Sequence, residues 1–177
     1  MSKGKGVESR RRIAGILGEN LVINELLWRG WVPVNTNAGY MNTPNVDVFA
    51  AKGACKVALQ VKSSADAAYK SVQVGYGERE KFFNGKPGPL ADFIVFVRIF
   101  DLKNYDCYVV PVEKAEAAVA RGYKVWNKTP KRDGKKRSAL FPASIRFELN
   151  KNRPGESDYK EKWKAYLNAW DILNEHG

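Results

Sequence analysis

Cysteine is scarce in this chain: there are two, Cys55 and Cys107, far apart in the sequence, outside any CxxC spacing and without a histidine nearby. That excludes a disulfide framework and a cysteine-based zinc site, and leaves both as core thiols. Long apolar runs are missing too. The stretches of the FIVFV type, Phe93 to Val97, fall far short of the ~20 residues that cross a bilayer. Behind the basic start MSKGKGVESRRR there is no apolar segment of signal-peptide type, so a cytoplasmic protein without a membrane partner is expected. No internal repeat and no linker divides the sequence, which predicts a single domain over residues 1–177. Acidic residues are in short supply, 19 against 30 Lys and Arg, for a net charge of +11. Such a field attracts polyanions, with nucleic acid ahead of an anionic membrane surface.

What is present can bury a core: 44% of residues are hydrophobic, with five Trp, eight Tyr and eight Phe. From Arg10 to Arg29 apolar residues recur at helical spacing (Ile13, Ile16, Leu17, Leu21, Ile23, Leu26, Leu27), and Arg29-Gly30 supplies a basic last turn and a glycine stop. WVPVNT reads as an edge strand because Pro33 cannot donate to a ladder. A turn-rich loop over Asn37–Asn45 leads to a strand VDVFA at Val46–Ala50, and AKGA turns the chain into its hairpin partner CKVALQVKSS. DFIVFVRI, Asp92–Ile99, is a near-continuous apolar run that predicts burial on both faces. The strand YDCYVVP, a short helix over Val112–Gly122, a strand ASIRFEL and a final helix over residues 159–174 complete the order. That last helix carries Trp163, Tyr166, Leu167, Trp170 and Leu173 as core packing. The basic residues 1–9 are expected to be flexible, and residues 127–138, with six basic residues against one acid, to form a basic loop.

Four positions break this pattern. Glu19 shares a helix face with Ile16, Ile23 and Leu26, where a carboxylate is costly unless it has a task; its bland alternative is an ion pair with Arg12 or Arg29. Asp47 alternates with Val46 and Val48, and Gln60 and Lys62 alternate with Leu59 and Val61, on strands that otherwise look central. If the strands pair across AKGACK, Asp47, Gln60 and Lys62 converge, and the first helix can bring Glu19 over them. Two carboxylates and an amide oxygen are hard ligands suited to Mg²⁺ or Mn²⁺, and Lys62 would stand beside the attacking water or the phosphorane charge.

These residues also resemble a family. GENLVINELLWRGW (Gly18–Trp31), NVDVFA (Asn45–Ala50) and LQVKSS (Leu59–Ser64) are similar to the motifs of the PD-(D/E)XK nucleases, nearest to archaeal Holliday-junction resolvases and to small homing or restriction-type endonucleases with a QxK variant. The resemblance implies a restriction-endonuclease-like α/β fold, a mixed central β-sheet flanked by helices, and metal-dependent hydrolysis of phosphodiester bonds in DNA. On it, Asp47 matches the PD aspartate, Gln60 and Lys62 the (D/E)xK pair, and Glu19 the glutamate of the first helix, so that Asp47, Gln60 and Glu19 are the expected metal ligands and Lys62 the catalytic ammonium. Asn45-Val46 stands where the name-giving proline would precede the aspartate. Gln60 replaces an acidic ligand and adds no charge, which makes Glu19 more important.

Nucleic-acid contacts are expected from Ser63 and Ser64 at the strand end, Ser63 matching a serine often found after the family's lysine, and from Lys128, Lys131, Arg132, Lys135, Lys136 and Arg137 in the basic loop. A DNA-binding module that keeps the fold without turnover is the alternative reading. RNA stays open as a substrate, and so does a homodimer with the C-terminal helix as its face.

Overall fold

The computed structural model of the chain describes residues 4–38, 45–65, 71–77, 91–101, 103–131, 133–136, 141–148 and 158–176. Helix α1, Gly4–Trp28, leads into strands β1 (Val32–Asn35), β2 (Val48–Lys52), β3 (Cys55–Ser64), β4 (Ser71–Gly77), β5 (Phe93–Ile99) and β6 (Tyr105–Pro111), then helix α2 (Val112–Lys128), strand β7 (Phe141–Arg146) and a short helix α3 (Tyr159–Lys162). Five strands form one mixed sheet in the order β1-β2-β3-β5-β6, antiparallel except for the parallel central pair β3 and β5. β4 and β7 make a separate antiparallel pair. The expected mixed sheet flanked by helices is what the chain forms, with the proline-bearing β1 at its edge.

Helix α1 starts earlier than the apolar spacing predicts: residues 4–9, expected to be flexible, are helical. It stops where expected, in a Schellman arrangement. Gly30 takes a φ of 78° and donates to the Leu27 carbonyl at 3.0 Å, while Trp31 donates to Leu26 at 3.0 Å and sinks into the core. The face it seats on the sheet is not the one its bulky residues suggest. Ala14, Gly18, Val22 and Leu26, one turn apart, are buried, whereas Ile13 and Ile16 are 53% and 51% exposed. Small residues line the seam because the helix lies close to β3. A Cβ on Gly18 would come within 2.5 Å of the Ser63 Cβ.

β5 is buried at all seven positions, as its apolar run predicts. Phe93, Val95, Val97 and Ile99 pack with α1, Cys107 and Val109; Ile94 and Phe96 face the other way, with Tyr108, Val110 and the α2 residues Ala115, Ala118, Val119 and Trp126. The sheet thus separates two cores. Both cysteines are free thiols; Cys107 is buried and Cys55 half-buried.

The single C-terminal helix expected over 159–174 does not form. α3 gives way to 3₁₀ turns at Lys164–Tyr166 and Trp170–Glu175, with Asn168 in the left-handed region at φ 53°. Leu167 bridges to Tyr108, and the Asn168 N–H donates to the Cys107 carbonyl at 2.7 Å, so the segment crosses the outer edge of β6. A strand edge with unpaired polar groups is thereby covered. The crossing also explains the break: Trp163 packs in the α2-side core and Trp170 and Leu173 in the α1-side core, and one straight helix could not reach both. α2 in turn runs past the glycine stop expected at Gly122, through to Lys128, because Trp126 is anchored in the α2-side core.

Candidate active site

The β2–β3 hairpin pairs Val48 with Leu59 and closes at Lys52 and Cys55. Beyond Val48 the two strands part. The Asp47 N–H still donates to the Leu59 carbonyl at 2.8 Å, but β3 runs on to Ser64 without a paired strand on its β2 side among the described residues. The Asp47 side chain fills the gap: its Oδ2 accepts the Val61 N–H at 2.7 Å, in the place a neighbouring strand would take. Asp47 therefore sits at the margin of the sheet, where groups from both faces can meet.

From one face comes α1. Glu19 follows Gly18, where α1 is seated against Ser63 of β3, and its carboxylate reaches the turn after β1. The Asn37 Nδ2 lies 3.4 Å from Glu19 Oε1 and 3.0 Å from Asp47 Oδ1, and the Asn35 Nδ2 lies 3.4 Å from Glu19 Oε2. The bland alternative for Glu19 fails for Arg29, which engages the Glu25 carboxylate and carbonyl. The Glu19 carboxyl is held above its ordinary range, first by burial and then by the negative charge of Asp47; Asn37, Asn35 and the Lys62 ammonium pull the other way.

From the other face come Gln60 and Lys62. Leu59 and Val61 point into the α1-side core, so Gln60 and Lys62 alternate away from it, beside Ile94 and Phe96 of β5. Gln60 is only 7% exposed, and its Oε1 is buried without a hydrogen-bond partner. An orphaned amide oxygen costs about 1–3 kcal/mol, a penalty that a ligand would remove. Glu19 feels the charges of both Asp47 and Lys62, and Gln60 lies two residues before Lys62 on the same face of β3.

Two carboxylates and a neutral oxygen with no partner make a donor set that fits a hard divalent ion such as Mg²⁺. Among the described residues no group of three or more His, Cys, Asp or Glu side chains comes together, so the set is confined to these hard oxygens.

The expected nucleic-acid contacts fall into two groups. Ser63 donates its hydroxyl to the Ala14 carbonyl at 2.7 Å and so clamps α1 to β3; Ser64 is half-buried at the strand end. Lys128, at the end of α2, and Lys131, Lys135 and Lys136, on a turn closed by the Lys131 N–H to Lys135 carbonyl bond at 2.9 Å, are all exposed. Arg132 and Arg137 lie outside the described residues. Asn35 and Asn37 are what the sequence did not single out. They belong to a stretch that reads as strand end and turn, and their role depends on the turn folding back over Asp47.

At the level of sequence, no protein-family model and no characterised protein matches this chain. Three-dimensional comparison gives an answer. The chain shares its fold with a bacterial homing endonuclease. That structure, I-Ssp6803I, superposes with a TM-score of 0.51 over 93% of this chain and 91% of the other, at 17% identity. The likeness covers nearly the whole of both chains, so the shared α/β fold is the frame in which the site is set.

Proposed function

We propose that this chain is a metal-dependent endonuclease of the PD-(D/E)XK type that hydrolyses phosphodiester bonds in DNA. The observation that carries the reading is the convergence of Glu19 and Asp47 on one amide at the sheet margin, with the unpartnered Gln60 oxygen and Lys62 on the strand alongside. Glu19, Asp47 and Gln60 would hold Mg²⁺ or Mn²⁺. The bound ion supplies charge neutralisation at the scissile phosphate and a water of lowered pKa. Asp47 is oriented by the Val61 N–H, and Glu19 is delivered by the seating of α1. The Lys62 ammonium stabilises the negative charge that builds on phosphorus and orients the attacking water. DNA as the substrate rests on the net charge of +11 and on the homing endonuclease whose fold the chain shares. Two copies would be needed for one site per strand of a duplex.

Cleavage of supercoiled, single-stranded and branched DNA in Mg²⁺ or Mn²⁺ tests this. Wild type should cut at least one of them, and Asp47→Ala and Lys62→Ala should each lose about 100- to 1,000-fold in rate while retaining DNA binding. Cleavage that survives both substitutions sinks the proposal. Binding without cleavage for wild type would instead favour the non-catalytic DNA-binding module, with the uncharged Gln60 as its cause.

A further inference from the structure

Metal sites built from carboxylates need the carboxylates held in a ligating attitude before the ion arrives, and outer-shell hydrogen bonds do this. Here the holding group is an asparagine that the sequence does not single out. Asn37 lies two residues past the end of β1. Its backbone N–H donates to the Asn35 Oδ1 at 2.8 Å, an Asx-type turn that fixes where the Asn37 side chain begins. From there the amide nitrogen points between the two acids, 3.0 Å from Asp47 Oδ1 and 3.4 Å from Glu19 Oε1. Between two carboxylates the NH₂ end must face inward, since the carbonyl end would be repelled by both. One amide has two N–H groups, and each can serve one acid. The remaining oxygens are also addressed: Asp47 Oδ2 by the Val61 N–H and Glu19 Oε2 by the Asn35 Nδ2.

The chemical type of the donors matters as much as their placement. Asn35, Asn37 and the Val61 amide are neutral, so they orient the acids without cancelling their charge. A lysine at position 37 would do both, and would compete with a dication for the same oxygens. Neutral donors leave the demand for a dication intact.

We propose that Asn37 is a positioning residue that presents Glu19 and Asp47 to a divalent ion, with Asn35 as its support. This rests on the metal-dependent reading of the site. The test is Mn²⁺ titration by calorimetry into the metal-free, full-length protein, with thermal unfolding of each variant recorded alongside. Asn37→Leu should melt within a few degrees of wild type, because the residue is half-buried on a turn, yet lose about tenfold or more in Mn²⁺ affinity. Asn37→Lys should bind Mn²⁺ more weakly still, and Asn35→Ala, which keeps the Asn37 amide but removes the turn bond that supports it, should show part of the loss. In cleavage assays the deficit of Asn37→Leu should shrink as Mn²⁺ is raised. Mn²⁺ affinity equal to wild type in both Asn37→Leu and Asn35→Ala, while Asp47→Ala abolishes binding, overturns the role of Asn37 and leaves the metal site standing. Wild-type protein that takes up no Mn²⁺, or takes it up regardless of Asp47→Ala, overturns the metal site and this proposal with it.

Discussion

Two glycines three residues apart in α1 should respond to alanine with opposite signs. In a helix interior Gly→Ala gains about 1 kcal/mol by restricting the unfolded chain and improving helix propensity. At Gly15 nothing lies within 4 Å of where the new Cβ would sit, so the gain is realised, worth about 2–4 °C in Tm for a domain of this size. At Gly18 the added Cβ meets Ser63 Cβ at 2.5 Å and Oγ at 2.7 Å. Ser63 Cβ is fixed to the strand backbone and its hydroxyl is already committed to the Ala14 carbonyl, so the neighbour cannot swing aside. Overpacking of that kind costs about 1–3 kcal/mol, which cancels or exceeds the propensity gain and leaves Gly18→Ala from unchanged to about 2 kcal/mol less stable. The helix relieves the clash by lifting off β3, and Glu19, the next residue, lifts with it. Differential scanning calorimetry of Gly15→Ala, Gly18→Ala and Gly18→Ala/Ser63→Gly, each with and without Mn²⁺, separates the effects. The double variant should recover stability, and Gly18→Ala should lose Mn²⁺-dependent stabilisation out of proportion to its own change in Tm. A rise in Tm for Gly18→Ala equal to that of Gly15→Ala would refute the close seating of the helix, and with it the reason Glu19 reaches Asp47.

Other outcomes follow from the charges. Because the folded state raises the Glu19 pKa above its ordinary value of 4.5, the folded protein binds that proton more tightly than the unfolded chain, and stability falls as pH rises from 4.5 through the raised value. Metal-free Glu19→Gln should therefore melt above wild type at neutral pH, with the advantage vanishing below pH 4.5; an advantage that persists in acid would show that Glu19 carries no electrostatic strain. Replacing Lys128, Lys131, Lys135 and Lys136 with Gln should flatten the dependence of log Kd on log salt by about 0.9 for each phosphate no longer neutralised, and an unchanged slope in fluorescence anisotropy would place the DNA grip elsewhere. Trp170→Ala should cost about 3–5 kcal/mol in denaturant unfolding, since its ring is fully buried in the α1-side core; a loss under about 1 kcal/mol would mean that the C-terminal segment is not anchored there.

Several features were legible in the sequence because they depend on local rules. The glycine stop of α1, the two-face burial of β5, the edge position of the proline-bearing β1 and the β2–β3 hairpin all follow from spacing, burial pattern and turn chemistry. The four polar residues stood out in the same way, each a charged or amide side chain where an apolar one was due. Other features had no local signature. The C-terminal apolar stripe, Trp163 to Leu173, has helical spacing, yet two cores on opposite sides of one sheet compete for it and break it into turns. The bulky face of α1 looked like the buried one, but close packing on β3 selected Ala14, Gly18, Val22 and Leu26 instead. The hydroxyl of Ser63 ties α1 to β3, a contact with no signature in the local sequence.

The sequence by itself thus determined which side chains are out of place for a simple core, and in what chain order: Glu19, Asp47, Gln60, Lys62. Only the tertiary structure decided how they are placed. Gln60 and Lys62 leave β3 on the face opposite α1, while Glu19 and Asp47 are joined through Asn37 because Asp47, just before β2, turns its side chain onto the Val61 N–H. Asn35 and Asn37 gain their roles there as well, since a hydrogen bond between residues far apart in the chain is a property of the packed turn and not of either asparagine.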